Sequence, residues 1–204
     1  MQRTAARRIW LGLLVLSAGE VCGQERSGQL VVGTPAAAEW TIPANPVEKV
    51  PAACRVRIPG FEINPTEAGS VVVLPGRIPG VVNAGAPDTP AVATSFKGHP
   101  NIRVIARLVR SDFEDFPDMD IAPVPTFLAG ELDQPYPVPV KTYSRSAALY
   151  SADAWWPETL VLAEEAWMGT NKVVRVECRP FQYNAARKTL RFHRQIDFVL
   201  EIAP

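Results

Sequence analysis

Cysteine and histidine carry the most specific chemistry in this chain, and both are rare. The sequence holds three cysteines and two histidines, which are Cys22, Cys54, Cys178, His99 and His193. A cysteine nucleophile needs a histidine within hydrogen-bonding reach. His99 sits in a Gly-His-Pro turn, where a solvated side chain is expected. In a long C-terminal hairpin, Cys178 and His193 would point to opposite faces of the sheet, so no thiol–imidazole dyad is predicted.

Sequence signatures of other catalytic and ligand sites are missing as well. The chain contains no Gly-x-Ser-x-Gly elbow, phosphate-binding glycine loop, His-Glu-x-x-His motif or Cys/His cluster with zinc-ligand spacing. Residues 111–120 (SDFEDFPDMD) offer carboxylates of the kind that calcium prefers. Their spacing is not that of an EF-hand, and a solvated acidic loop is the expected structure. We therefore predict no enzymatic activity, no cofactor and no metal.

Cys54 and Cys178 both lie in segments where apolar residues alternate with charged ones. This alternation turns both thiols toward the interior of the protein. If the chain is exported, the oxidising compartment permits a disulfide between them. The other outcome is two unlinked buried thiols, since free cysteine is among the most buried residue types. Both outcomes stay open from the sequence.

The N-terminal 23 residues have the pattern of a secretory signal peptide. Three arginines precede the apolar run of residues 9–18, and small residues suited to a signal peptidase follow. The run is shorter than the roughly 20 residues that a stable membrane span needs. We predict cleavage after Gly23, loss of Cys22, and export to the periplasm or the extracellular space.

Composition favours strands over helices. Among 204 residues there are 20 prolines, and proline is costly inside helices. Lys+Arg and Asp+Glu are both 21, so the formal charge is zero and no polybasic surface for nucleic acid is expected. The predicted fold class is all-β, an antiparallel, jelly-roll-like β-sandwich with long Pro-rich loops and at most one short helix. The predicted organisation is a signal peptide (1–23), a loosely attached Pro/Ala-rich leader (24–49) and the sandwich (50–204).

Strand-like runs alternate with Pro/Gly breaks from residue 50 onward. The predicted strands are residues 52–58, 70–74, 81–82, 91–96, 102–110, 119–122, 173–181, 189–193 and 195–202. Residues 158–167 fit either a short helix or a strand. Residues 173–181 and 189–202 are predicted to pair as a long hairpin across a turn at 182–188. Arg194 falls on the apolar face of that hairpin, so either a bulge re-aims it or it lies beyond the partner sheet.

Several motifs, taken in order, resemble the N-terminal propeptide of gingipain-type cysteine peptidases. The C-terminal segment 173–202 (VVRVECRPFQYNAARKTLRFHRQIDFVLEI) resembles the end of that propeptide. Upstream, residues 85–90 (GAPDTP) resemble its Gly-x-Pro-x-x-Pro element and residues 121–125 (IAPVP) its Ile-Ala-Pro strand. Tyr150 and the Trp155-Trp156-Pro157 sequence follow in the expected order. The resemblance covers about residues 75–202.

The resemblance implies a non-catalytic, exported module that keeps a cysteine peptidase domain latent and helps it to fold. In the family, a loop enters the active-site cleft and offers a basic side chain to the specificity pocket. The corresponding segment here is residues 126–149, whose only basic residues are Lys141 and Arg145. An alternative function is a carbohydrate-binding or adhesion module, based on the aromatic residues around Trp155 and Trp156.

Overall fold

A computed structural model of the chain describes residues 29–80, 83–128 and 140–203. Within these residues there are thirteen strands and one short helix. In chain order they are β1 (Leu30–Gly33), β2 (Glu39–Thr41), β3 (Ala52–Arg57), β4 (Gly60–Thr66), β5 (Gly69–Val73), β6 (Val92–Lys97), β7 (Val104–Phe116), β8 (Thr126–Leu128), β9 (Val140–Thr142), α1 (Ala147–Ser151), β10 (Val161–Met168), β11 (Asn171–Cys178), β12 (Phe181–Asn184) and β13 (Thr189–Ile202).

The strands form three antiparallel sheets and a separate two-stranded ribbon. One sheet has the order β1-β4-β5 and a second has the order β10-β11-β6. The third sheet has the order β12-β13-β3-β2, with β7 on the other side of β13, and β8 pairs with β9 alone. All pairings between named strands are antiparallel. The predicted all-β antiparallel fold is confirmed, whereas the jelly-roll-like strand order stays a prediction.

The three sheets share one hydrophobic core. The core forms because buried and exposed side chains alternate along the strands. In β3, for example, every second side chain is buried, and the intervening ones are exposed. The centre is an aromatic cluster in which the Phe61 ring lies 4.9 Å from Phe181 and 4.7 Å from Phe192, centroid to centroid. Phe116 meets Phe61 edge-on at 5.7 Å. Edge-to-face contacts of this kind add to the stabilisation that comes from burial.

Arg194 is accommodated by a bulge in β13. The register with β7 shifts between His193 and Gln195, which leaves Arg194 as the extra residue. Arg194 is exposed, and its guanidinium donates to Glu114 at 3.1 Å. The first of the two predicted explanations is therefore confirmed.

The C-terminal hairpin differs from its prediction. Residues 182–184 are not a turn but the end of β12, and β12 is the strand that pairs with β13 in the hairpin. β11 instead pairs with β10 and β6 in another sheet. Arg179 and Pro180 separate β11 from β12, and proline cannot donate a ladder hydrogen bond, so the strand breaks there.

Other segments also differ from expectation. The acidic residues 111–116 belong to β7 rather than to a loop, because pairing with β13 extends this strand. Residues 158–167 form mostly strand, within β10, and α1 lies elsewhere. β4 was not predicted, since Gly60 and Pro65 lie within it. Residues 81–82 lie outside the described residues.

The expectation of a loosely attached leader is wrong for residues 30–41. β1 pairs with β4 and β2 pairs with β3, so both strands extend the sheets of the body. Val32 is buried in the core. The boundaries of the signal peptide, leader and sandwich stay a prediction. In the part of the chain that the structure describes, no helix is long and apolar enough to cross a membrane.

Candidate functional site

The β8–β9 ribbon exposes apolar side chains on both of its faces. Leu128 and Val140 face each other across the ribbon and are 52% and 55% exposed. Phe127 pairs with Lys141 on the alternate side of the strands and is 60% exposed. Tyr143, just after β9, is 49% exposed.

Such a ribbon is unusual because a lone two-stranded hairpin is at best marginally stable in water. A strand that covers a core buries one face and leaves the other to solvent. Among the described residues, both faces of the ribbon are left largely to solvent, and each carries a large apolar side chain. A local concentration of exposed large apolar side chains is the kind of surface that marks an interaction site.

The two candidate pocket residues, Lys141 and Arg145, lie in different environments. Lys141 is exposed on β9, and its ammonium lies 5.8 Å from the centre of the Phe127 ring. Arg145 donates to Asp120 Oδ2 at 2.8 Å and to the Ala68 carbonyl at 3.1 Å. The Asp120 hydrogen bond raises the pKa of Arg145. Of these two residues, Lys141 lies on the ribbon and is exposed, whereas Arg145 follows the ribbon and is bound to the body.

In the structure Cys54 and Cys178 are both buried and are not bonded to each other. Cys54 lies on β3, in the largest sheet, and Cys178 lies on β11, in another. Burial raises the pKa of Cys54 to about 11, and burial also raises the pKa of Cys178. Neither thiol is set up as a nucleophile, because the reactive form is the thiolate. The disulfide between them stays a prediction.

The histidines do not form a dyad with either thiol. His193 is buried, with Nδ1 3.0 Å from Ser111 Oγ and Nε2 2.9 Å from Gln182 Oε1. Both ring nitrogens are thus occupied, and burial lowers the His193 pKa to about 4. His99 is exposed, and its Nδ1 accepts the backbone N–H of Asn101. The premise that Cys178 and His193 share one sheet is wrong, since they lie in two.

The acidic stretch is used in ion pairs. Asp115 binds Arg191, Glu114 binds Arg194, and Asp120 binds Arg145. Among the described residues no group of three His, Cys, Asp or Glu side chains is arranged to hold a metal ion.

The aromatic residues proposed as a sugar platform are engaged by the protein itself. The Arg191 guanidinium lies 4.0 Å from the centre of the Trp155 ring and 4.0 Å from that of Phe113. Arg191 thus covers one face of the Trp155 ring and competes with a sugar for stacking there. Trp156 is half-buried, and its backbone bridges Tyr183. This arrangement does not support the carbohydrate-binding alternative.

The sequence reasoning missed Phe127, Leu128 and Val140. The sequence does show apolar residues at both ends of a Pro-rich segment, but this pattern also fits a buried strand. The sequence reasoning identified Gly85 only as the start of the Gly-x-Pro-x-x-Pro element, and not as a residue whose backbone contacts both ends of the ribbon.

Comparisons with known proteins identify a family of peptidase propeptides and two structures with a similar fold. The family model Propeptide_C25 matches residues 76–203. The structure of the complex of Porphyromonas gingivalis RgpB pro- and mature domains is similar, with TM-score 0.63, 18% identity, and coverage of 74% of this chain and 80% of that chain. A structure on zymogenic latency of gingipain K from Porphyromonas gingivalis has TM-score 0.65 and 16% identity, covering 86% of this chain and 98% of that one. No curated protein matches the chain. The structural likenesses show a shared fold.

Proposed function

The chain belongs to the Propeptide_C25 family, and on that premise we propose that it binds a gingipain-type cysteine peptidase and keeps it latent. The predicted resemblance to gingipain-type propeptides is confirmed, and the propeptide itself is not an enzyme. The β8–β9 ribbon is the part of the molecule that enters the active-site cleft. The single observation that carries this proposal is the exposure of apolar side chains on both faces of the ribbon.

The physical argument concerns what can cover such a ribbon. Leu128 and Val140 lie on one face, and Phe127 lies on the other. A flat docking surface would desolvate one of these faces only. A cleft with two walls would desolvate both, and full burial of an apolar side chain is worth roughly 1.5–3 kcal/mol. An active-site cleft supplies these two walls.

We further propose that Lys141, rather than Arg145, fills the specificity pocket. Lys141 is exposed, its ammonium lies 5.8 Å from the centre of the Phe127 ring, and it makes no ion pair with the described residues. Arg145 would first have to give up Asp120 and the Ala68 carbonyl. Lys141 would give up one exposed cation–π contact, whereas Arg145 would give up two hydrogen bonds and its own contact with the Tyr150 ring. Fewer broken interactions mean that less free energy is lost on association.

The test is inhibition of the isolated mature domains of RgpB and gingipain K by the purified chain, without its first 23 residues. The expected result is inhibition of at least one of them at micromolar concentration or below. Replacing Lys141 with alanine should raise the inhibition constant about thirtyfold or more, as expected for a buried charged anchor.

A lysine on another sheet provides the matched control. Lys97 is exposed on β6, and Lys97→Ala should leave the inhibition constant unchanged. Absence of inhibition by the unaltered chain at micromolar concentration would contradict the latency function. Inhibition that survives Lys141→Ala unchanged would contradict the assignment of Lys141 to the pocket.

Export is part of the same proposal. Residues 1–23 have a charged start, an apolar middle and a small-residue end, as a secretory signal does. A partner peptidase in this family works outside the cytoplasm, so inhibitor and enzyme would meet in the periplasm or beyond it. N-terminal sequencing of the exported protein, with an expected start near Gln24, tests this step.

A further inference from the structure

One residue of the body holds both ends of the β8–β9 ribbon. The Gly85 amide donates to the Val124 carbonyl at 3.0 Å, two residues before β8. The Gly85 carbonyl accepts the amide of Ser146 at 2.9 Å, four residues after β9. Next to it, Val124 donates back to Ala86 at 2.7 Å. The chain that leaves for the ribbon and the chain that returns are thus hydrogen-bonded to the same peptide segment.

Only glycine fits at this position. The Gly85 backbone has φ +80°, a conformation that residues with a Cβ rarely adopt. A Cβ atom there would lie 2.8 Å from the Ser144 carbonyl oxygen and 3.1 Å from the Ser146 nitrogen. Both of these atoms belong to the returning end of the ribbon. The close approach to the ribbon, and not only the turn, therefore requires glycine.

Arg145 strengthens the same anchor from the other side. Its guanidinium joins the returning end to Asp120 and Ala68, as described above, and lies 4.9 Å from the centre of the Tyr150 ring. The Tyr150 hydroxyl in turn donates to the Ile121 carbonyl at 2.8 Å, on the segment that leads into β8. Both ends are therefore connected to each other through side chains as well.

We propose that Gly85 and Arg145 are positioning residues that fix the two ends of the ribbon before any partner binds. The ribbon itself has three-residue strands with exposed faces, so its own contacts give it little stability. Fixed ends lower the entropy that the ribbon loses when a peptidase cleft receives it. This inference rests on the proposed function only for its effect on inhibition, because order of the free ribbon can be measured without a partner.

The first experiment measures amide hydrogen exchange of the free protein at residues 126–128 and 140–142. Gly85→Ala should accelerate exchange there about tenfold or more, because a side chain is strained in this backbone conformation and meets the returning end. Gly76→Ala is the matched control. Gly76 has φ +70°, but its Cβ would meet only Ala37 Cβ at 3.8 Å, so the backbone strain is similar and the ribbon is untouched. Equal ribbon exchange in the two variants would overturn the proposal.

Arg145→Gln keeps the test decisive if Gly85→Ala does not fold. The Arg145–Asp120 pair is half-exposed, so an acceleration of about two- to fivefold is expected, with an unchanged melting temperature. Ribbon exchange identical to that of the unaltered chain would overturn the role of Arg145.

The second experiment measures inhibition of the RgpB and gingipain K mature domains. Gly85→Ala should raise the inhibition constant about tenfold, and Gly76→Ala should not change it. If the unaltered chain inhibits and both variants inhibit equally well, the anchor has no role in binding and the proposal fails. If the unaltered chain inhibits neither enzyme, the proposed function fails, and the exchange experiment alone decides whether the anchor exists.

Discussion

The aromatic core and the β8–β9 ribbon are opposites in how they use apolar side chains. In the core, Phe61, Phe181 and Phe192 are almost fully buried and touch one another across strands from two sheets. In the ribbon, Phe127 and Leu128 are more than half exposed. The side-chain types are similar, but the core residues pack against other residues of the protein, whereas the ribbon residues face solvent.

The difference indicates which residues contribute to the free energy of folding. The core residues stabilise the body, and the ribbon keeps its apolar surface available for association. Binding sites are commonly built from an exposed loop or ribbon whose two ends are held by a rigid body. Fixed ends order the exposed element while its side chains stay accessible to a partner. The two regions should therefore respond oppositely to the same kind of substitution.

Truncation in the core should have the largest effect on stability. Phe192→Ala removes a ring that is 1% exposed and contacts both Phe61 and Phe181. We expect the free energy of unfolding to fall by about 3–5 kcal/mol, since a cavity is left where the ring packed. Chemical denaturation with a fluorescence or circular-dichroism readout measures this change. A loss below about 1 kcal/mol would contradict the central place given to the cluster.

The fold was predictable to the extent that alternation is visible in the sequence. β3 and β13 were found because charged and apolar residues alternate along them, including the irregularity at Arg194. β11 was assigned to the wrong partner, since periodicity identifies a strand but not its neighbour. β2 and β4 were missed because a short edge strand and a strand with Gly60 and Pro65 have weak local signals.

The candidate site was predictable only in outline. The resemblance located it within residues 126–149 and named Lys141 and Arg145, but the sequence does not distinguish two exposed basic residues. The distinction depends on Asp120 and Ala68, which lie 25 and 77 residues from Arg145 and meet it only in the folded chain. The role of Gly85 depends in the same way on two hydrogen bonds to distant segments.

The buried His193 makes the stability of the body depend on pH. Its Nε2–H donates to Gln182 Oε1, because the Gln182 amide nitrogen already donates to the Pro157 carbonyl. Nδ1 is then left to accept the Ser111 hydroxyl, so the folded state holds the neutral ring. The neighbouring charges are Arg191, which lowers the His193 pKa, and Asp115, which raises it, but burial is the main cause of its fall to about 4.

The sign of the pH dependence of stability follows from whether the folded or the unfolded chain binds more protons. An unfolded histidine has a pKa near 6.5, so between about pH 6.5 and 4 the unfolded chain is the more protonated state. Stability should be complete above about pH 6.5 and fall by up to about 3 kcal/mol as the pH approaches 4. Denaturation of the unaltered chain and of His193→Gln from pH 7 to 4.5 tests this. A variant with the same slope as the unaltered chain would show that His193 is not its source.

The smallest effect on stability is expected in the ribbon, where the effect on binding should instead be large. Leu128→Ser should change the free energy of unfolding by less than about 0.5 kcal/mol, because the side chain is already 52% exposed. Its inhibition constant against a mature domain should nevertheless rise about tenfold, since the face opposite to Lys141 loses apolar contact with the second wall of the cleft. Leu108→Ser is the matched control, a leucine 40% exposed on β7 of the body, and should leave inhibition unchanged. If Leu128→Ser inhibits as well as the unaltered chain while Lys141→Ala does not, only one face of the ribbon is covered, and a groove along that face replaces the two-walled cleft.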